Sequence, residues 1–331
     1  MILAADLGGT KCNLALFHHE DGKLALAASH RFETSNYSAL PFNQMLLDFQ
    51  THVKRGPFAN ERIAAAGIAG AGAVVDGVLH GTYVPWKLES AALAKHLSLE
   101  KIALLNDVEA SALSLPFLTD ADLLVLNKGV LRPNAPRALI AAGTGLGEAL
   151  LFHDGHRYRA LPTEGGEAGF APQNQFELEL LRHLWSKMPR VACEEILSGS
   201  GFQRIHEFLA PQVQHCSFEK GPAESAREIS NLAMAKQCAI CEQTLEAWVC
   251  AYGSEAGNLA LRSLAYGGIY VAGGIATKIL AKLKEGSFVN ALVEKGRFAP
   301  ILRQIPVYLV LNEQAPLWGA AYQALKCSTS G

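Results

Sequence analysis

One local pattern occurs twice in this chain, and it limits the possible folds more than any other feature. A short apolar run leads into a glycine-rich turn and then into a second apolar run, which predicts a β-hairpin with a glycine tip. The first copy comprises Ile2 to Leu7, Gly8-Gly9-Thr10 and Asn13 to Phe17, and the second comprises Ala138 to Ala142, Gly143-Thr144-Gly145-Leu146-Gly147 and Ala149 to Phe152. Two similar hairpins so far apart predict two similar domains.

The length of the chain supports the same division. At 331 residues it exceeds the size at which a single hydrophobic core usually stops growing, so two domains with a cleft between them are expected. Half of the residues are hydrophobic and 18% are charged, which is typical of a compact globular protein and excludes general disorder.

The charge balance excludes two classes of partner. Lys and Arg number 29 against 31 for Asp and Glu, and this net charge of -2 creates no field that would attract nucleic acid or an anionic membrane. We therefore expect a small-molecule partner. The first strand begins at Ile2 without a basic leader or a long apolar stretch, which favours a cytoplasmic protein.

The seven cysteines are an odd number spread through a long chain, which favours reduced thiols over a disulfide framework. Cys238 and Cys241 have the CxxC spacing, and Cys250 follows in the same helical stretch. Because no second Cys or His pair completes a zinc set, we interpret them as buried cysteines on a helix face in preference to metal ligands.

The other segments alternate between strand and helix patterns, which predicts an α/β fold. Further strands are predicted at Ile63 to Ile68, Lys101 to Leu105, Ile269 to Ala272 and Pro306 to Leu311. Helices are predicted at Leu40 to Lys54, Phe176 to Lys187, Glu194 to Leu209, Ala226 to Ala251, Ser254 to Tyr266, Ile275 to Lys284 and Ala315 to Lys326. The last helix could return to the first domain.

Three glycine turns follow strands, the third being Gly273-Gly274, and such turns can aim backbone N–H groups at a phosphate. Neither GxxxxGK[ST] nor a GxGxxG after the first strand is present, and an ordinary hairpin or helix start is the alternative for each turn. Asp6 lies beside the first turn, where a carboxylate would repel a triphosphate unless a cation lay between them. We interpret Asp6 as a ligand of Mg²⁺, direct or through water, with a turn-capping Asp as the alternative.

The strand at Lys101 to Leu105 ends in two polar residues, Asn106 and Asp107. Ligands bind outside the carboxyl ends of strands in open α/β sheets, so this pair is a candidate binding site. The residues that follow continue helically, and the alternatives are a helix N-cap at Asp107 and a turn residue at Asn106.

Several motifs carry a family resemblance. Asp6-Leu7-Gly8-Gly9-Thr10-Lys11 resembles the DxGGT opening of the superfamily of actin, hexokinase and Hsp70-like ATPases. Along nearly the whole chain, motifs in the same order resemble bacterial glucokinases: Leu104-Leu105-Asn106-Asp107, Gly143-Thr144-Gly145-Leu146-Gly147, Leu161-Pro162-Thr163-Glu164-Gly165-Gly166, Phe170-Ala171-Pro172, Glu194 with Ile196-Leu197-Ser198-Gly199, Gly257-Asn258-Leu259-Ala260-Leu261, Val271-Ala272-Gly273-Gly274-Ile275 and Lys295-Gly296-Arg297-Phe298.

The resemblance implies two RNase H-like domains of the actin-like ATPase type around a cleft. The smaller would comprise residues 1–117 and 312–331, on the sugar and phosphate side. The larger would comprise residues 118–311, on the nucleotide side and at the interface of a homodimer. The resemblance also implies which residues hold ATP: Gly8, Gly9, Thr10, Lys11, Gly143, Thr144 and Gly145 at the phosphates, and Gly273 and Gly274 near the nucleoside.

The same resemblance implies phosphorylation of the 6-hydroxyl of a hexose by ATP, with glucose the first candidate. Asp107 matches the family's catalytic Asp and would accept the proton of that hydroxyl, with Asn106 beside it bonding sugar hydroxyls. Glu164 and Glu194 match sugar-binding positions of the family. A carboxylate suits such a position because it can accept hydrogen bonds from neighbouring hydroxyls. Without the family match they would be interpreted as solvated loop acids.

The chain departs from the glucokinase pattern in three places. Glu167 stands where bacterial glucokinases usually have a His. The segment Thr82-Tyr83-Val84-Pro85-Trp86 has Tyr83 after Thr82, where family members commonly carry Thr-Asn before the aromatic residue, and the preceding loop Ala71-Gly72-Ala73 also differs. If Asp107, Glu164, Glu167 and Glu194 face one pocket, they raise one another's pKa. The extra carboxylate predicts relaxed or altered hexose specificity, with glucosamine as one option, unless Glu167 points to solvent.

Other classes of protein with this fold fit the sequence less well. A sugar-sensing regulator of the ROK family would need a DNA-binding module and a cysteine-rich zinc loop, and neither is visible in the sequence. A catalytically weak sugar-binding protein would not need both Asp6 and Asp107. An actin-like filament or chaperone ATPase would be expected to lack Glu164 and Glu194, so a hexose kinase is favoured.

Overall fold

The computed structural model describes residues 1–20, 23–54, 56, 58, 61–82, 84–213 and 218–329. The chain folds into two compact units, one formed by Met1–Leu118 with Gln314–Gly331 and the other by Thr119–Glu313. Each unit has its own hydrophobic core and its own central β-sheet.

The first unit contains a five-stranded sheet and a separate three-stranded sheet. Its strands are β1 (Ile2–Leu7), β2 (Lys11–Glu20), β3 (Lys23–Glu33), β4 (Ala65–Gly70), β5 (Gly72–Val75), β6 (Val78–Gly81), β7 (Lys87–Glu89) and β8 (Ile102–Asn106), and its first helices are α1 (Phe42–Lys54), α2 (Ser90–Leu97) and α3 (Asp107–Ser114). The larger sheet has the order β3-β2-β1-β4-β8, in which β1 to β3 are antiparallel and β1, β4 and β8 are parallel. The carboxyl ends of β1, β4 and β8 therefore share one edge.

Helix α1 illustrates how the core of this unit forms. Five of its six apolar residues recur at spacings of three and four, which places them on one face of a helix. Leu47 is exposed, whereas these five are buried in the core of the first unit: Phe42, Met45, Leu46, Phe49 and Val53.

The second unit is built on a six-stranded sheet. Its strands are β9 (Leu123–Asn127), β10 (Arg137–Ala142), β11 (Leu146–His153), β12 (Tyr158–Thr163), β13 (Ile269–Ala272) and β14 (Val307–Val310). Its helices are α4 (Gln175–Trp185), α5 (Gly199–Leu209), α6 (Pro222–Met234), α7 (Ala239–Ser263), α8 (Gly274–Lys278), α9 (Leu280–Lys284), α10 (Ser287–Val293) and α11 (Ala299–Leu302), after which α12 (Ala315–Thr329) completes the first unit. No helix within the described ranges is both long and apolar enough to span a lipid bilayer.

The two central sheets repeat one topology. The order β12-β11-β10-β13-β14-β9 contains an antiparallel meander, β10 to β12, beside the parallel strands β10, β13 and β14. This is the arrangement of β1 to β3 with β4 and β8, so the prediction of two similar domains is confirmed. One difference between the copies concerns an acid: Ala141 occupies the place before the second glycine turn that Asp6 occupies before the first.

Two predicted helices begin or break at other residues in the structure. The helix predicted for Glu194 to Leu209 begins only at Gly199, because the residues before it form turns whose N–H groups bond to neighbouring loops. The helix predicted for Ile275 to Lys284 is divided into α8 and α9 at Ile279, whose backbone leaves the helical region at φ -102° and ψ 22°.

The long helical region also breaks elsewhere than predicted. The sequence predicts a break between Ala251 and Ser254, whereas α6 ends at Met234 and α7 runs without a break from Ala239 to Ser263. Lys236, with φ 55°, lies in the left-handed region between the two helices. Gly253 stays inside α7, where a side chain would overlap the backbone of Phe288, so this glycine marks close packing and not a helix end.

Candidate active site

The carboxyl ends of β1 and β8 carry the two acids on which the sequence argument rests. In the sheet register Asp6 lies opposite Asn13 on β2, and Asn106 lies beside Gly70 on β4. Only β4 separates β1 from β8, so their backbones are about 10 Å apart, twice the usual strand spacing. Asp6 and Asp107 therefore lie at the same edge of one sheet.

Asp6 belongs to a short polar network across the sheet. Asn13 Nδ2 donates to Asp6 Oδ2 at 3.2 Å, and Arg31 Nε donates to Asn13 Oδ1 at 2.9 Å. Burial raises the pKa of Asp6 to about 6, against the effect of the Asn13 hydrogen bond, and the negative charge of Asp107 adds to the rise. The two carboxylates are thus close enough to repel each other, and a cation between them would relieve that repulsion.

A side-chain N-cap fixes the junction between β8 and α3. Asn106 Oδ1 accepts hydrogen bonds from the N–H groups of Val108 at 2.8 Å and Glu109 at 3.2 Å. Asn106 Nδ2 donates to the carbonyl oxygen of Gly72 at 3.1 Å. The N-cap is therefore Asn106. The alternative interpretation of the sequence, an N-cap at Asp107, is wrong.

Two features of this junction concern the acids themselves. Asp107 is the first residue of α3, is partly exposed, and its Oδ1 accepts from the N–H of Val108 at 3.0 Å. Burial raises the pKa of Glu109 to about 7. Glu109 was not among the sequence candidates, although the pattern Asn106-x-x-Glu109 is a recognisable capping signal.

The first glycine turn is tied to the segment that follows β3. The N–H of Thr34 donates to the carbonyl of Thr10 at 2.9 Å, and Thr34 Oγ1 donates to the carbonyl of Gly8 at 2.8 Å. The buried Cys12 Sγ lies 3.3 Å from Thr34 Oγ1. Gly9, Thr10 and Lys11 are exposed, so this turn is held from behind while its tip is accessible.

A pocket of about 460 Å³ lies beside this turn, within the first unit. Five of its lining residues carry hydroxyl groups, which suit phosphate oxygens and sugar hydroxyls alike. The lining residues are Gly9, Thr10, Glu33, Thr34, Ser35, Ser38, Thr82, Val84 and Pro85. The sequence analysis did not identify the hydroxyl-rich segment Thr34 to Ser38 as part of a site. Tyr83, one of the departures from the family pattern, lies outside the described residues.

Glu194 joins the second glycine turn to the loop that follows β12. Its Oε2 accepts from the N–H of Leu146 at 2.8 Å, and its own N–H donates to the carbonyl of Gly166 at 2.9 Å. A Cβ atom on Gly145 would overlap the Glu194 carboxylate, so a side chain at this position would require that carboxylate to move. A candidate phosphate turn and a candidate sugar loop are thereby held together.

Two of the candidate sugar-binding acids act electrostatically on a third. Burial raises the pKa of Glu194, and the negative charges of Glu167 and Glu164 raise it further. The charges of Glu164 and Glu167 therefore act on Glu194 within the second unit, and the expectation that all four acids raise one another's pKa stays a prediction. The fourth acid, Asp107, belongs to the first unit and acts on Asp6.

Glu167 has a cationic partner that the sequence did not reveal. Its Oε2 lies 3.2 Å from Arg190 Nη1, and Arg190 Nη2 donates to the backbone carbonyl of Glu167. The Glu167 side chain is 53% exposed, so it reaches solvent while its charge is balanced. Sequence spacing gave no signal for this pair.

The third glycine turn joins β13 to α8. Among the candidate phosphate-binding glycines, Gly273 alone has a positive φ, of 90°. Gly274 begins α8 and is exposed. The turn therefore owes its shape to Gly273, the position where a residue with a side chain would be strained.

A buried pair of acids, also missed from sequence, contacts the loops that carry the candidate sugar-binding residues. Glu148 and Glu255 are 2% and 4% exposed, and Arg262 Nη1 lies 2.8 Å from Glu255 Oε1 and 3.9 Å from Glu148 Oε2. A side chain on Gly165 would overlap the Glu148 carboxylate, and Cys193 Sγ lies 3.7 Å from Glu255 Oε2. Burial raises the pKa of Glu148 to about 7, the charge of Glu255 adds to the rise and Arg262 opposes it.

Comparison with known proteins places this arrangement in a family. The sequence profile described as Glucokinase matches residues 3–327. A glucokinase from Nostoc sp. strain PCC 7120 is 36% identical over an alignment 344 positions long, which covers 98% of this chain and 99% of the relative.

Solved structures agree with this result. The crystal structure of a glucokinase from an Antarctic psychrotroph has a TM-score of 0.86 at 28% identity and covers 98% of both chains. A ROK family glucokinase from Streptomyces griseus, crystallised with glucose and AMPPNP, has a TM-score of 0.64 at 18% identity, covers 98% of this chain and 99% of its own, and shares the fold. The two-domain actin-like ATPase fold is thus confirmed, and because profile and relative both span nearly the whole chain, the protein belongs to the glucokinase family.

Proposed function

We propose that this protein is a glucokinase that transfers the γ-phosphoryl group of ATP to the 6-hydroxyl of glucose. The observation that carries this proposal is that Asp6 and Asp107 lie at the carboxyl edge of one sheet, close enough to repel each other, in a chain of the glucokinase family. The Nostoc relative is named glucokinase, and the Streptomyces griseus glucokinase was crystallised with glucose and AMPPNP, which supports both substrates.

Asp107 is the proposed general base. Phosphoryl transfer needs an acceptor hydroxyl held in line with the phosphoryl group and a group to accept its proton. Asp107 stands at a strand end, partly exposed, on a helix start that the Asn106 cap fixes. It would therefore meet the 6-hydroxyl in a defined position and take its proton during transfer.

Asp6 is the proposed carboxylate for Mg²⁺. Within the described part of the chain, no group of three or more His, Cys, Asp or Glu side chains could hold a metal ion by itself. Mg²⁺ is usually held by one or two carboxylates together with substrate phosphates and water. Asp6, with its raised pKa and its repulsion by Asp107, fits that donor set. Bound Mg²⁺ would neutralise charge on the transferring phosphoryl group.

The glycine turns are the proposed phosphate contacts. Gly8, Gly9, Thr10 and Lys11 form one turn whose tip is exposed, and Thr34 fixes the backbone behind it. Gly143, Thr144 and Gly145 form the other, which the Glu194 carboxylate holds through the N–H of Leu146. Gly273 and Gly274 are assigned to the nucleoside side of ATP. Backbone N–H groups and the Lys11 ammonium would bind phosphate oxygens.

The glutamates of the second unit are the proposed contacts to the sugar. Glu194 uses Oε2 for Leu146, which leaves Oε1 for a hydroxyl, and Glu164 is exposed on the same loop system. The Asn106 side-chain oxygen accepts the hydrogen bonds of the helix cap, and one amide N–H donates to the Gly72 carbonyl. We therefore assign its second amide N–H to the sugar.

Glu167 is the residue from which the sequence predicts altered sugar specificity. Its pairing with Arg190 gives the carboxylate a cation already, so the ammonium group of an amino sugar would gain less from it than an isolated carboxylate would offer. We therefore place glucose first, and altered specificity towards another hexose or an amino sugar stays a prediction.

The test is release of ADP by the purified protein with and without glucose, mannose, fructose and glucosamine. Glucose-dependent release with the highest kcat/KM for glucose supports the proposal. Release of ADP without any sugar would instead indicate an ATPase, and a hundredfold preference for another sugar would identify a different hexose kinase. Arg190→Ala, which unpairs Glu167, should raise the relative kcat/KM for glucosamine if Glu167 reaches the sugar.

The remaining assignments concern the cell and the assembly. We assign the enzyme to the cytoplasm as a homodimer, with residues 118–311 supplying the dimer interface and residues 1–117 with 312–331 the sugar and phosphate side. The molar mass in solution tests the assembly, because a monomer has a mass of 35.5 kDa.

A further inference from the structure

The start of α7 holds two cysteines that the proposed kinase reaction does not use. Cys238 is the N-cap of this 25-residue helix and is partly exposed, whereas Cys241 is fully buried. The backbone N–H of Cys241 donates to Cys238 Sγ at 3.5 Å. One sulfur is therefore accessible from solvent, with the second cysteine directly behind it.

The backbone favours a bond between the two sulfurs. Residues three apart at a helix start have Cα atoms about 5 Å apart, from the rise and radius of an α-helix. Disulfides tolerate Cα separations of about 4.4–6.8 Å. Cys238 has an extended backbone, with φ -148° and ψ 111°, and its side chain folds back over the first turn. Closing the disulfide thus needs no rearrangement of the helix.

The surroundings give the two thiols different chemistry. Burial alone would raise the pKa of Cys238, but hydrogen bonds from the N–H groups of Cys241 and Ile240 and from the Cys241 thiol outweigh it and lower the pKa. Burial raises the pKa of Cys241 to about 12, and the charges of Cys238 and Glu228 add to that rise. Glu242 acts against the thiolate of Cys238 without reversing the balance. An accessible nucleophilic thiol followed by a buried protonated thiol is the arrangement of redox-active CxxC motifs.

We infer that Cys238 and Cys241 form a redox-active dithiol that exchanges with low-molecular-weight disulfides. The Cys238 thiolate attacks one sulfur of a disulfide RSSR, forms a mixed disulfide and releases one thiol RSH. The Cys241 sulfur, as its proton leaves, attacks Cys238 Sγ, forms the Cys238–Cys241 disulfide and releases the second RSH. Two electrons and two protons pass from the cysteine pair to RSSR.

Of the other described cysteines, Cys327 is partly exposed but has no cysteine at CxxC spacing, and the remaining three are expected to react less readily than Cys238. Cys12 and Cys193 are buried, and burial raises the pKa of Cys193 to about 12. Cys250 lies beside Glu246. Burial raises the pKa of Cys250 to about 11, and the negative charge of Glu246 adds to the rise. Selective oxidation of the CxxC pair is therefore expected, and Cys250→Ser is a matched control on the same helix.

The test is oxidation of the reduced full-length protein by oxidised glutathione, followed by alkylation and peptide mass analysis. We expect an internal disulfide between Cys238 and Cys241, unchanged in Cys250→Ser. In Cys241→Ala, which lacks the resolving thiol, a glutathione adduct on Cys238 should persist. Ser is a good N-cap, so Cys238→Ser should fold and show neither product.

Several outcomes would overturn the inference. Oxidation at other cysteines before this pair, or a stable glutathione adduct on Cys238 in the wild type without internal bonding, would each do so. A second measurement does not need any variant: the rate of iodoacetamide alkylation at Cys238 should reach half its maximum at a lower pH than that at Cys250. Equal profiles would contradict the proposed activation. None of these readouts depends on kinase activity, so their results test the dithiol independently of the proposed function.

Discussion

The surroundings of Asp6, at the carboxyl edge of the first sheet, change the pH range in which its side chain is charged. Burial and Asp107 favour its protonated form, and Asn13 favours its ionised form, with a resulting pKa of about 6. The folded protein therefore binds a proton at Asp6 more readily than an exposed Asp would, and Asp6 is ionised only above about pH 6. If Asp6 binds Mg²⁺, the affinity for Mg²⁺ should fall as Asp6 takes up its proton near this pH.

Asp6→Asn should weaken the use of Mg²⁺. The amide keeps the shape of the side chain but removes the charge, and we expect the Mg²⁺ concentration for half-maximal rate to rise about 10- to 100-fold. In the wild type this concentration should also rise as pH falls below 6, because Asp6 takes up a proton, and the variant should lack that dependence. Initial rates against free Mg²⁺ at pH 5.5, 6.5 and 7.5 measure both effects.

A matched control is Asp76→Asn, at an exposed turn residue whose left-handed backbone Asn accepts readily. It should behave as the wild type does. An Asp6→Asn variant with an unchanged Mg²⁺ requirement would remove Asp6 from metal binding.

At the scale of elements, the sequence predicts the features that depend on residues close together in the chain. It does not predict those that depend on contacts between distant residues. The hairpins at Ile2 to Phe17 and Ala138 to Phe152, and the strand ending at Asn106, are local patterns and were predicted correctly. The break in the helical region was misplaced because tertiary packing, seen at Gly253, keeps α7 intact. The Glu167–Arg190 pair joins residues 23 positions apart, and no local pattern announces it.

The β8–α3 junction should depend on the Asn106 side chain for stability. Asn106→Ala loses the bonds to two helix N–H groups and to Gly72, and we expect about 1–2 kcal/mol of lost stability. Asn106→Ser keeps a capping oxygen and should recover part of the loss. Chemical denaturation measures the free energy of unfolding. Equal stability of Asn106→Ala and the wild type would show that the cap contributes nothing.

Glu148 should make stability depend on pH. Its pKa of about 7 in the folded protein lies above the ordinary value of 4.5, so the folded state binds the extra proton and stability falls as pH rises from about 4.5 to 7. The loss is at most on the order of 3 kcal/mol. Glu148→Gln removes this titration, so its stability relative to the wild type should increase between pH 5 and pH 8.

Denaturant unfolding at several pH values tests this, with the exposed Glu20→Gln as control. Other titrating acids such as Glu109 are common to both proteins and cancel in the difference. Parallel curves for the wild type and Glu148→Gln would contradict the assignment of the proton to Glu148.

At the scale of the whole molecule, two sheets of one topology carry different chemistry. The first copy has Asp6 before its glycine turn, and the second has Ala141 at the equivalent place. The family motifs identified the candidate acids in both units. They could not identify the partners that orient them, such as Thr34 behind the first turn and Glu148 beside Gly165, because those contacts exist only after folding.

The central claim is that Asp107 accepts the proton of the sugar hydroxyl. The decisive measurement is kcat for glucose-dependent ADP release by Asp107→Asn, together with glucose affinity by titration calorimetry, with Asp76→Asn as control. We predict that kcat falls at least about 100-fold, the scale of a lost general base, while glucose still binds. A kcat within a few-fold of the wild type in a variant that binds glucose normally would contradict the account.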